Sequence, residues 1–114
     1  MQRKYYLLEN ISKYLYSNSL GDVYELIDCP GLKFVISSHY LKLMPDNTCC
    51  YKRETVYNGF MSYKNSPLYQ RIYHLTPFEI EKLLISFYEK VNDYQMTQKY
   101  GANWRKLDFL SCNH

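Results

Sequence analysis

Between Lys4 and Asn18 the apolar side chains Leu7, Leu8, Ile11, Tyr14 and Leu15 return at steps of three and four, with Glu9, Asn10, Lys13 and Ser17 between them. That spacing predicts an amphipathic helix that ends before Gly21. Past the glycine the period changes to two. Val23 to Asp28 and Leu32 to Ser38 read as strands, the second with Leu32, Phe34 and Ile36 on one face and Lys33, Val35 and Ser37 on the other. Asp28-Cys29-Pro30-Gly31 joins them, because Pro presets φ at one central turn position and Gly tolerates a positive φ at the next.

Tyr40, Leu41, Leu43 and Met44 form an apolar stretch that fits a strand or a short helix and ends at Pro45-Asp46-Asn47. Cys50 to Tyr57 and Phe60 to Lys64 then flank Asn58-Gly59, a pair suited to the two positive φ values of a type I′ turn, so the spacing predicts a hairpin there. Leu68 to His74 adds another strand after the break at Asn65-Ser66-Pro67.

Thr76-Pro77-Phe78-Glu79 carries a capping residue, a proline at the first helical position and a glutamate placed to complete a capping box. Ile80, Leu83, Leu84, Phe87, Val91 and Tyr94 continue it as one apolar stripe, with Glu79, Lys82, Ser86, Glu89 and Asp93 opposite. A helix from Pro77 to about Lys99 is predicted, with Gly101 as its stop. Asn103 is expected to cap a last short turn in which Trp104, Leu107 and Leu110 share a face, and Ser111 to His114 to fray. Together these elements predict a single α+β domain over residues 1–114: an N-terminal helix, an antiparallel sheet of four or five strands, and a long C-terminal helix packed on one face.

Composition narrows the class and leaves the chemistry open. With 46% hydrophobic and 22% charged residues in 114 the chain reads as globular, and it shows no repeat or low-complexity run. Phe, Tyr, Met, Ile, Asn and Lys, whose codons are AT-rich, total 47 residues against 13 for Gly, Ala, Arg and Pro, which points to an AT-rich coding genome such as that of a phage, another virus or an AT-rich bacterium. The start, Met1 to Leu8, reaches Glu9 and Asn10 before a signal-peptide h-region can form, and nowhere do about 18 apolar residues run together. A cytoplasmic protein is therefore expected, in the host cytoplasm if the source is viral, with no membrane partner. In that compartment Cys29, Cys49, Cys50 and Cys112 are expected as reduced thiols.

Catalytic and metal signatures are missing. The chain has no glycine-rich phosphate loop, no G-x-S-x-G elbow and no H-E-x-x-H, and Cys29, Cys49, Cys50, His39 and His74 show no C-x-x-C spacing. No cofactor and no metal are expected. His74 beside Arg71 and Tyr73 would be the general base of an enzyme reading, and Cys50 with His39 its nucleophile pair.

Charge singles out one segment. The formal net charge is +3, and residues 51–75 hold all of it: Lys52, Arg53, Lys64 and Arg71 against Glu54 alone, while basic and acidic residues balance on either side. Tyr51, Tyr57, Phe60, Tyr63, Tyr69 and Tyr73 lie in the same segment. Basic positions interleaved with rings suit an acidic protein surface, where Tyr supplies rigid area with a polar tip, and they also suit single-stranded nucleic acid. The composition thus points to a small non-enzymatic binding protein, an accessory factor that modulates a host protein such as a defence or nucleic-acid-processing machine. The alternative is a single-stranded nucleic-acid binder using the basic, Tyr-rich hairpin. Arg53, Tyr57, Phe60, Tyr63, Lys64 and Arg71 are the candidate contacts. Alternation places Arg53 and Tyr57 with Tyr51 on one side of their strand and Lys52, Glu54 and Val56 on the other, and assigns the Val56 side to the core.

Overall fold

A computed structural model of the chain describes residues 8–45 and 50–104. It contains strands β1 (Ser12–Asn18), β2 (Gly21–Leu26), β3 (Leu32–Pro45), β4 (Tyr51–Tyr63) and β5 (Tyr69–Leu75), followed by helix α1 (Pro77–Tyr100). The five strands are antiparallel and lie side by side in chain order. The fold is α+β, as the patterning predicts. The expected reversal before β3 is present: Leu32 N–H donates to Cys29 O at 3.0 Å, and Gly31 takes φ +97°.

Two predicted elements are overturned. Residues 12–18 form strand β1 where an N-terminal helix was expected; Lys4 to Leu7, its first turn, lie outside the described residues. Ser, Tyr and Asn, which dominate Ser12–Asn18, are weak helix formers, while Tyr favours strands. Asn18 Oδ1 then accepts from the N–H groups of Leu20 (2.9 Å) and Gly21 (3.3 Å), closing a tight turn that returns β2 onto β1.

Asn58-Gly59, in the second case, does not turn the chain. Both residues lie inside β4, where Gly59 pairs with Ile36 of β3 and Ile72 of β5. A Cβ at Gly59 would sit 1.7 Å from Val35 O, so the glycine is there for the close approach of a neighbouring strand. Gly21 meets the same stretch of β3 from the other side, since its Cβ would lie 2.2 Å from Ile36 O. Between these glycines β3 carries a bulge at Ser37. The long β3 absorbs the stretch Tyr40 to Met44 that the sequence left open.

Cα pairing across the sheet explains which residues are buried. One rung runs Tyr14, Tyr24, Phe34, Met61, Gln70, and its side chains face α1; the next runs Tyr16, Val23, Val35, Phe60, Arg71, on the opposite face. The helix side holds the core, in which Tyr24, Leu26, Leu32, Phe34, Ile36, Tyr57, Met61, Tyr63 and Ile72 meet Ile80, Leu84, Phe87 and Val91 of α1. Tyr24 and Phe34 stack there at 4.9 Å.

The start of α1 follows its sequence signal. Glu79 N–H donates to Thr76 Oγ1 at 3.3 Å, and Thr76 N–H donates to Glu79 Oε1 at 3.0 Å, so both arms of the capping box are made. At the other end Gly101 N–H donates to Thr97 O. Thr76→Ala is expected to lower stability by about 1 kcal/mol, as at other helix caps. An unchanged urea midpoint in that variant would show that the cap contributes nothing. The short turn expected around Leu107 and Leu110 lies outside the described residues.

Candidate binding surfaces

The helix covers only part of the sheet. Leu75, the last residue of β5, pairs with Tyr57, and α1 begins two residues later, running back over the sheet until Tyr94 and Gln95 meet Tyr63. β2 leaves β3 at Ile36 and β5 leaves β4 at Tyr57, but β3 and β4 stay paired as far as Pro45 and Tyr51. From Tyr40–Val56 to Pro45–Tyr51 they form a two-stranded ribbon about 20 Å long at ~3.4 Å per residue.

Alternation makes this ribbon amphipathic. On the helix side Leu41 pairs with Thr55, Leu43 with Arg53 and Pro45 with Tyr51; on the other side Lys42 pairs with Glu54 and Met44 with Lys52. Leu41 and Leu43 are each 62% exposed and Tyr51 70%, so the apolar side is bare where it runs out past the start of the helix. Arg53 is exposed beside Leu43.

Away from the helix, the open face of the sheet carries rings and cations. Phe60 and Tyr69 stack at 5.6 Å with an interplanar angle of 23°. The Arg71 guanidinium lies 4.7 Å from the centroid of the Tyr73 ring. Tyr73 touches His74, whose ring also packs edge-on against Tyr40 and shares a hydrogen bond with its hydroxyl. His74 holds φ +54°, an unusual value for a non-glycine, in the bulge where β5 shifts register; its N–H donates to Asn58 Oδ1 at 3.0 Å. Of the charged side chains on this face, Lys13 pairs with Glu25 at 3.6 Å and Lys52 with Glu54 at 3.3 Å. Among the described residues, Lys33, Lys42 and Arg71 are in no ion pair.

The six candidate contacts therefore separate. Phe60 and Arg71 are Cα partners on the open face, and Arg53 stands on the ribbon. Tyr57 and Tyr63, 7% and 4% exposed, belong to the core, so the Tyr57 side of β4 faces the helix and the assignment of the Val56 side to the core is corrected. Val56 is buried nonetheless, on the open face opposite Tyr40. Lys64 sits at the end of β4 with φ +44°, its stem lying over Gly31 and its ammonium 5.3 Å from the Tyr63 ring centroid.

Leu41, Leu43, Tyr69 and Tyr73 are absent from the predicted contact set, although Tyr69 and Tyr73 alternate with the predicted Arg71 in a period-two signal that the sequence displays. His39 and Cys50 are not brought together: His39 pairs with Tyr57, six rungs from the Pro45–Tyr51 end next to which Cys50 stands. Cys29 is buried in the core, and burial pushes its thiol pKa up despite the nearby Lys64 ammonium. Among the described residues no group of three or more His, Cys, Asp or Glu side chains is placed to hold a metal, and no helix is long and apolar enough to cross a membrane. The chain matches no protein family, no curated protein and no solved structure.

Proposed function

We propose that the protein is a non-enzymatic binding protein that docks onto another protein through the β3–β4 ribbon. The observation that supports this reading is the bare apolar side of the ribbon, Leu41, Leu43 and Tyr51, edged by Arg53. Two-stranded hairpins are marginal in water on their own, and a ribbon with its apolar side exposed gains stability when that side is covered. The chemistry calls for a partner with an apolar groove for the leucines and acidic groups at its rim for Arg53 and Lys42. Tyr and Arg at such a site supply area and charge-assisted hydrogen bonds. An accessory factor acting on a host protein fits both this surface and the AT-rich composition.

The test compares the wild-type chain with the Leu41→Asp, Leu43→Asp double variant in pulldown from lysate after nuclease treatment. A partner retained by the wild type through nuclease and lost by the variant, at an unchanged melting temperature, is the expected result. Equal capture by both chains would remove the ribbon as the docking site.

A further inference from the structure

The open face of the sheet, opposite the helix, has its own chemistry. The Tyr16–Val23–Val35–Phe60–Arg71 rung crosses all five strands, and the neighbouring rung runs Lys13, Glu25, Lys33, Ser62, Tyr69. On this face Val23 and Val35 are buried, while Tyr16, Tyr40, Tyr69 and Tyr73 are exposed. Along β5 the series Tyr69, Arg71, Tyr73 places ring, cation and ring two residues apart, a spacing of roughly 6.6 Å where the strand is regular. An extended single strand of nucleic acid advances by a comparable distance per nucleotide. Phe60 supports the Tyr69 ring from one side and the Arg71 guanidinium lies over Tyr73, so rings and cation are preassembled.

Charge distinguishes between ligands for such a face. Among the described residues the acidic groups on it, Glu25 and Glu54, each pair with a lysine of the same face, and Lys33, Lys42 and Arg71 are in no ion pair. An apolar protein patch would have little use for this surplus, whereas a polyanion with flat faces would use both the cations and the rings. We propose that the open face binds single-stranded nucleic acid, with bases stacking on Tyr69 and Tyr73 and phosphates held by Arg71 and Lys33. The contacts named, Tyr69, Tyr73, Arg71 and Lys33, lie outside the ribbon, whose apolar side of Leu41, Leu43 and Tyr51 faces the other way and calls for a different partner.

Fluorescence anisotropy with a labelled single-stranded oligothymidylate tests it in the full chain. Saturable binding is expected, with a duplex of the same length binding more weakly because its bases are unavailable. Tyr69→Ala should weaken the affinity roughly 5- to 150-fold, the range for loss of one stacking side chain. Arg71→Glu should weaken it too and make the log–log salt slope less negative by about 0.7 for the phosphate released. Tyr69 and Arg71 are exposed, so both variants should melt like the wild type. Lys82→Glu, an exposed cation on α1, and Leu43→Asp on the ribbon should bind the oligonucleotide as the wild type does. The proposal is overturned by the absence of saturable binding, by equal affinity for duplex, or by equal losses in Lys82→Glu and Arg71→Glu, which would mark diffuse charge attraction. A nuclease-resistant protein partner lost on Arg71→Glu, with no oligonucleotide binding, would assign the face to a protein instead.

Discussion

Phe87→Ala is expected to destabilise the protein by about 3–5 kcal/mol, the cost of removing a large aromatic from a filled core. Phe87 is 2% exposed and sits in the middle of the α1 stripe, between Leu84 and Val91 along the helix and against the sheet residues of the core. In a chain of this length the core is thin, and among the described residues α1 is the one helix packed on that side of the sheet. At roughly 4 °C per kcal/mol for a domain of this size, the melting temperature should fall by about 12–20 °C. Urea denaturation gives the cleaner measurement: the midpoint should drop with the slope unchanged. A loss below about 1 kcal/mol would mean that the stripe does not hold the sheet.

Gly59→Ala should be as damaging, by a different mechanism. The added Cβ would lie 1.7 Å from Val35 O, 2.8 Å from Val35 C and 3.1 Å from Ile36 Cα, all backbone atoms of the adjacent strand. A side chain can rotate out of the way, but a paired strand has to move. We expect a loss at or above the upper end of the ~1–3 kcal/mol usual for overpacking, together with faster amide exchange at Ile36 and Ile72, the two residues paired with Gly59. The outcome also distinguishes the two roles that sequence and structure give this residue. If Asn58-Gly59 were a hairpin turn, alanine would cost only the strain of a positive φ, about 1–2 kcal/mol, and exchange at Ile36 would not change. That smaller loss with protected amides would refute the pairing.

The predicted site was legible in one respect and hidden in another. Unbalanced charge and ring density in residues 51–75 show in the sequence, and alternation places Arg53, Tyr57 and Tyr51 on one side of their strand, as found. Sequence does not say which side a helix will cover. Because α1 starts at the level of Tyr57 and runs back toward Tyr63, it buries those two tyrosines and leaves Leu41, Leu43 and Tyr51 of the same face uncovered. Phe60 and Arg71 end up side by side only because β4 and β5 pair in the register they do.

Where the deciding interaction is local, the sequence by itself was enough. The Thr76 capping box, the proline at the first helical position, the stripe from Ile80 to Val91 and the Gly101 stop depend on groups within a turn or two of one another, and α1 forms as read. Leu32, Phe34 and Ile36 alternate into the core for the same reason. Tertiary structure decided the rest. Ser12–Asn18 has weak local preferences, so pairing with β2 outweighs its helical spacing. Gly59 is equally fit for a turn or for a crowded strand, and the approach of Val35 selects the second. A single residue type satisfies both local conditions, and the free energy that separates them resides in strands more than twenty residues away along the chain.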